Sequence, residues 1–264
     1  IAHLHGGEIT EGAYDDSIRH AITKMSHLHF TSTEQYRQRV IQLGEQPDHV
    51  FNVGAIGLDN IRNLQLLTRD QLETELSIKF QDYNYQVTFH PETLGNRSSK
   101  SQFQVLLSAI EKQSNSFFVF TKANADTDGR VINQMIDDFV MKFPEKAIAF
   151  HSLGSLRFLS LIKACDAIIG NSSSGIIEAP SLNTATINIG GRQKGRAQAQ
   201  SIINVSCSSE EIAGAFDHVK RKDFRAGLLQ IDNPYDKGGA AHLILEELHK
   251  NVDTLSNKIF YNIK

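Results

Sequence analysis

The chain has 264 residues, 40% hydrophobic and 22% charged, with 27 lysines and arginines against 30 aspartates and glutamates for a net charge of −3. This composition excludes a disordered chain, and its balance gives no electrostatic reason to expect a nucleic acid or an anionic membrane as partner. No apolar run approaches the roughly 20 residues of a spanning helix and no signal-peptide pattern opens the chain, so a cytoplasmic protein is expected; Cys165 and Cys207, without CxxC spacing, suggest neither a disulfide framework nor cysteine-held zinc.

The opening stretch, IAHLHGGEITEGAYDD, gathers His3, His5, Glu8, Glu11, Asp15 and Asp16 around Gly6, Gly7 and Gly12. A metal site, an acid/base loop and a polar turn all fit that content. His3 and His5 alternate as on a strand, as do His27 and His29, but no HExxH or similar set follows, so no metal or cofactor is expected. Asp15 and Asp16 precede the helical run SIRHAITKM, where N-terminal capping alone would explain two acids.

Beyond this loop, short β-rich runs alternate with segments of helical period, the pattern of parallel α/β layers. Strands are predicted at 28–32, 50–53, 86–89, 117–121, 147–150, 167–169, 186–189 and 202–205, and helices at 33–43, 70–80, 101–112, 129–143 and 208–220. QDYNY, at 81–85, reads as a polar break and a domain boundary. A loop at 232–239 leads to a final helix from about Ala240.

The most informative stretch is DAIIGNSSSGIIEAPSLNTATINIGGRQKGR, residues 166–196. A strand runs into Gly170-Asn171-Ser172-Ser173-Ser174-Gly175, and a helix is expected from near Ile176. Free N–H groups of a first helical turn, the helix dipole and serine hydroxyls make a phosphate site, with glycines allowing close approach of a ligand. The stretch is neither GxxxxGK[ST] nor GxGxxG, and a capped helix with glycines is the plain structural alternative. Glu178, one turn beyond Ser174, could accept hydrogen bonds from ribose hydroxyls. Arg192, in a second glycine loop, offers a phosphate fork.

GNSSSGIIEAP and INIGGRQKGR, with HLHGGEITEGAYDDSIRHAITK and FHPET, closely resemble the hydrolysing UDP-N-acetylglucosamine 2-epimerases of the sialic-acid-pathway type, from end to end of the chain. The resemblance implies a GT-B-like α/β fold of two Rossmann-like parallel-sheet domains with a cleft between them, the first incomplete here. The implied boundaries are 1–84 for the end of the first domain, 85–239 for a UDP-binding domain, and 240–264 for a helix and tail crossing back to the first. An N-terminal segment with an arginine-containing phosphate loop and a Gly-Asp-Arg motif is expected to precede this sequence.

The implied reaction releases UDP and N-acetylmannosamine by elimination to a glycal and hydration, without a cofactor. By resemblance Asp15 is a catalytic acid/base. The family's more familiar His-x-Glu-Gly-Gly-Glu reads His3-Leu4-His5-Gly6-Gly7-Glu8 here, so either His5 or Glu8 stands in for a catalytic glutamate. His90 and Asn124 match positions at the diphosphate and on the nucleotide side, Ser172 and Ser173 the diphosphate pair, Glu178 the ribose ligand, and Arg192 a nucleotide-binding arginine. Arg19 and His20 are expected to be structural. The departure at His5 keeps a UDP-diacetamido sugar, UDP-N,N'-diacetylbacillosamine, open as the substrate. A non-catalytic UDP-sugar-binding module and, more weakly, a GT-B sugar transferase are the other readings. A homo-oligomer is expected.

Overall fold

The computed structural model describes residues 1–9, 14–91, 98–123, 127–251 and 257–263. Two compact units divide it: the first comprises 1–63, 194–198 and 232–264, the second 64–193 and 199–231.

The first unit is built from β1 (Ala2–Leu4), α1 (Tyr14–Met25), β2 (Leu28–Thr31), α2 (Glu34–Gln42), β3 (Val50–Asn52) and α3 (Leu58–Asn63). Its three strands are parallel in the order β1-β2-β3, with His3 opposite His29. The Thr33 hydroxyl accepts the Tyr36 N–H at 3.3 Å and so starts α2.

The second unit follows with α4 (Arg69–Leu76), β4 (Tyr83–Thr88), α5 (Ser99–Glu111), β5 (Ser116–Thr121), α6 (Thr127–Lys142), β6 (Ala147–Phe150), α7 (Gly154–Ala164) and β7 (Ala167–Gly170). It ends with α8 (Ser173–Ser181), β8 (Ala185–Ile189), β9 (Ile202–Val205), α9 (Ser209–Lys220) and α10 (Lys222–Gly227). The closing helix, α11 (Ala240–Asn251), belongs to the first unit. Asp59 of α3 fixes its start, since its carboxylate accepts the Ala240 and Ala241 N–H groups at 3.0 and 2.8 Å. Ile244 then packs with Leu28, Phe30 and Val53 on the small sheet.

The large sheet is wholly parallel, in the order β6-β5-β4-β7-β8-β9. Counted from its own first strand this is the doubly wound order 3-2-1-4-5-6, whose direction of winding reverses between β4 and β7. Ligands of such sheets bind beyond the carboxyl ends of the two strands at that reversal.

The α/β class and parallel strands expected from the sequence are present, and each predicted strand is found with its ends moved by three residues or fewer. Two expectations need correction. QDYNY is no break: Tyr83 to Tyr85 open β4, where Tyr85 is buried and stacks on Phe118 with ring centroids 5.1 Å apart. Asn84 is buried too, its side chain pairing with the Gln81 backbone through both amide atoms, so polar composition there marks a satisfied turn into the sheet. The division falls after Asn63 rather than near residue 84, because Leu72 and Leu76 of α4 pack with Phe117, Val119 and Leu161 of the large unit. Helix α4 also ends at Leu76, since Ser77 adopts a left-handed conformation.

Candidate active site

At the carboxyl ends of β4 and β7 the chain builds one connected arrangement from residues far apart in sequence. Strand β7 ends at Gly170, whose φ is 128°. A Cβ there would lie 2.0 Å from the Thr88 carbonyl oxygen of β4, so only glycine fits. Asn171 follows, fully buried. Its side-chain oxygen accepts the His90 N–H at 2.7 Å and its amide donates to the His90 carbonyl at 2.8 Å. Its own carbonyl accepts Arg192 Nη1 at 3.0 Å and Gln193 Nε2 at 2.7 Å. One asparagine therefore ties the end of β4, the serine loop and the second glycine loop together.

Ser172 is the N-cap of α8, with φ −74° and ψ 144°, its hydroxyl accepting the Ser174 N–H at 3.3 Å. The helix begins at Ser173, three residues earlier than read from sequence, so Ser173 and Ser174 occupy its first turn. Gly175 serves the fold rather than a ligand: a Cβ on it would come within 2.6 Å of Thr186 Cγ2, and Thr186 Oγ1 donates to the Gly175 carbonyl at 2.7 Å. Glu178, on the next turn, is half-buried, as are His90 and Arg192. The second unit thus brings together Ser172, Ser173, His90 and Arg192 around Asn171. Asn124 lies outside the described residues.

In the first unit the opening loop leaves β1 with the His5 N–H bonded to the Phe30 carbonyl at 2.8 Å. His5 has φ 61°, a left-handed conformation uncommon for a side-chain-bearing residue. Gly7, at φ 77°, passes so near α2 that a Cβ would lie 2.4 Å from the Tyr36 carbonyl. The turn delivers Glu8 to the interior, 6% exposed. Glu8 Oε1 accepts from His5 Nδ1 and from Ser32 Oγ, each at 2.9 Å. Its Oε2 lies 3.6 Å from an Arg196 Nη. Burial would raise the Glu8 carboxyl, but His5, Arg196 and Ser32 outweigh it and hold the group below the ordinary carboxylate range.

The loop backbone is anchored by two arginines, Arg19 donating to the Glu8 carbonyl at 3.0 Å and Arg39 to the Gly7 carbonyl. Arg19 and His20 also flank Asp16 at 3.7 and 3.6 Å. Behind Gly6, His3 is buried with Nδ1 3.1 Å from the Thr23 hydroxyl, and burial first, then Arg19, keeps it below the usual imidazole range. Asp15 stands exposed on the first turn of α1. The structure thus joins His5 to Glu8 and places Asp15 on the next element, the helix whose Arg19 holds the Glu8 carbonyl. Among the described residues no group of three or more histidine, cysteine, aspartate or glutamate side chains could hold a metal ion.

Sequence reading missed Asn171 and Arg196. Both lie inside the informative stretch, and the presence of Asn171 between glycine and serine was the only local signal for it.

Comparison with known proteins follows the same outline. The family model described as UDP-N-acetylglucosamine 2-epimerase matches residues 1–249. The GDP/UDP-N,N'-diacetylbacillosamine 2-epimerase (hydrolyzing) of Campylobacter jejuni is 43% identical over 265 residues, taking in 100% of this chain and 68% of that protein. The polysialic acid biosynthesis protein P7 of Escherichia coli is 41% identical, over 100% of this chain and 67% of its own length. The solved structure of Methanocaldococcus jannaschii UDP-GlcNAc 2-epimerase in complex with UDP-GlcNAc and UDP matches with a TM-score of 0.73 at 18% identity, over 95% of this chain and 69% of that one. The chain therefore spans about two thirds of these relatives, and the GT-B-like fold expected from sequence is the fold it shares with the solved structure.

Proposed function

Because the chain belongs to the UDP-N-acetylglucosamine 2-epimerase family, we propose that it works as a hydrolysing UDP-sugar 2-epimerase, eliminating UDP to leave a glycal and then adding water with inversion at C2. The observation that carries this reading is the serine-capped start of α8 at the winding reversal of the large sheet, joined through Asn171 to His90 and Arg192.

Elimination places growing negative charge on the departing diphosphate. Ser172 and Ser173 hydroxyls, the first-turn N–H groups of α8, His90 and the Arg192 guanidinium are donors of the kind that stabilise such charge. Glu178 accepts from the ribose hydroxyls, and Asn124 belongs to the nucleotide side. Proton transfer at C2 falls to Asp15 and to the His5–Glu8 pair, in which an imidazole bonded to a carboxylate is suited to take up and return a proton. No cofactor takes part. A cytoplasmic homo-oligomer completes the proposal.

For the sugar, the reading shifts from that first expected. The relative at 43% identity is named for a diacetamido sugar, whereas a Neisseria meningitidis relative named UDP-N-acetylglucosamine 2-epimerase is 30% identical. With a histidine where the more familiar family motif has glutamate, this favours UDP-N,N'-diacetylbacillosamine over UDP-N-acetylglucosamine. That Neisseria meningitidis relative supports the second sugar as the other reading.

Proton NMR of product mixtures, with each UDP-sugar offered separately, tests substrate, reaction and stereochemistry together. Release of UDP with a C2-inverted diacetamido sugar, faster than the reaction of UDP-N-acetylglucosamine, is expected. Binding of both without UDP release would replace the enzyme by a binding module.

A further inference from the structure

The opening loop offers two proton carriers, His5 and Glu8, with different surroundings. The Glu8 side chain is 7% exposed, and both of its oxygens are occupied: Oε1 by His5 Nδ1 and Ser32 Oγ, Oε2 by the Arg196 cation. The His5 side chain is 35% exposed, and among the described residues its Nε2 has no hydrogen-bond partner. An ionised carboxylate only accepts, so His5 Nδ1 carries the hydrogen of that bond and the lone pair of the neutral ring lies on Nε2.

We propose that Arg196 is a positioning residue of the reaction: with Ser32 it holds Glu8 as the anion that orients His5, and His5 Nε2 is the atom that meets the substrate. The inference rests on the reaction proposed above. In the elimination, Nε2 takes the C2 proton, the C2–H electrons form the C1–C2 double bond, and the C1–O bond breaks with its electron pair leaving on UDP. The imidazolium then returns its proton to solvent. Glu8 neither gains nor loses a proton, the role a carboxylate plays behind a catalytic imidazole elsewhere.

Arg196 reaches this position by a dedicated support. The segment 194–198 belongs to the first unit although its flanks belong to the second. The Ala197 N–H is bonded to the Tyr36 hydroxyl at 3.1 Å, and Tyr36 and Tyr235 pair through their hydroxyls at 2.8 Å in the interior. Arg196 Nε is buried without a hydrogen-bond partner among the described residues, so the cation acts on Glu8 chiefly by charge. The other charged or titratable groups around the pair are Arg19 on the Glu8 carbonyl, Arg39 on the Gly7 carbonyl, His3 behind Gly6, and Tyr235, all of which the test leaves in place.

The test measures kcat/KM for UDP release against pH for the wild type, Arg196→Gln, Arg196→Lys and Ser32→Ala, with UDP affinity measured in parallel. Removing a nearby positive charge favours protonation of both Glu8 and His5, so in Arg196→Gln the acid limb should move up by about one pH unit, UDP affinity should be unchanged, and Arg196→Lys should restore the limb. Independently of turnover, 15N NMR of the imidazoles, with His5 identified by its loss in His5→Gln, should show the Nδ1–H form, and Glu8→Gln should abolish that preference. A uniform drop at all pH values with an unmoved limb, or an Nε2–H form in the wild type, overturns the inference. If Arg196→Gln fails to fold, Ser32→Ala decides, with a smaller upward shift expected and an unmoved limb against. A wild type that releases UDP from neither sugar would instead defeat the proposed reaction, while the imidazole spectrum would still report on the pair.

Discussion

Asp15 and Glu8 share a charge and little else. Glu8 is enclosed by donors, whereas Asp15 is exposed at a helix start, the position where an acid also stabilises a helix. The two roles of Asp15 separate experimentally. Asp15→Asn should lower sugar release by about a hundredfold or more, the range of a lost general acid or base, with UDP affinity and melting temperature nearly unchanged. A substantial fall in melting temperature with activity retained would make it a capping residue only. At this scale the sequence disclosed which residues bear chemistry but not which of them touch. The His5–Glu8 pair lies within one turn and was readable as a choice between neighbours. Arg196 was not, because its partner Glu8 precedes it by most of the chain and only the fold joins them.

Among elements, α8 carries most of the proposed nucleotide chemistry and depends on a close approach to β8. Gly175→Ala would force a methyl against Thr186, a buried β-branched side chain whose hydroxyl is already committed to the Gly175 carbonyl. We expect a loss of about 1–3 kcal/mol in urea unfolding together with weaker UDP binding, as the helix start shifts away from Asn171. Unchanged stability would mean that the helix moves freely. Strands were legible because each is a short β-rich run between turn residues, and β5 and β7 are buried along their whole length. Helix α7 was harder to separate, since Leu159, Leu161 and Ile162 are buried nearly in succession and blur the helical period. The tyrosine-bearing start of β4 misled for the opposite reason, since Asn84 is buried with its amide paired to the Gln81 backbone and Tyr85 is buried by stacking on Phe118.

For the whole molecule, acid sensitivity follows from a second buried cluster. His29 is enclosed in the first unit with Nε2 3.0 Å from Glu45, whose carboxylate also pairs with Lys24 at 2.6 Å and Lys258 at 2.7 Å. Burial lowers His29 to about 4, against the raising effect of Glu45 and with Lys258 assisting. Since the folded ring resists protonation, the unfolded chain binds the extra proton as pH falls below 6.5, and stability declines from there toward about 4. Glu45 adds loss in the same direction at lower pH: burial would raise it, but Lys24, Lys258 and His29 hold it below 4.5. Urea unfolding should show stability falling by up to about 1.4 kcal/mol per pH unit across the His29 window, and His29→Gln should flatten that slope. A slope unchanged in the variant would place the acid sensitivity elsewhere.

The short excursion of residues 194–198 into the first unit bears on how the chain matures. A ribosome delivers Glu8 well before Arg196, which follows only after β8 has emerged, while Lys258 reaches Glu45 later still. Glu8 thus waits for a cation encoded far downstream, and Glu45, which can already meet Lys24, gains its second cation the same way. The first unit therefore cannot complete its interior until the segments bearing Arg196 and Lys258 have both been made.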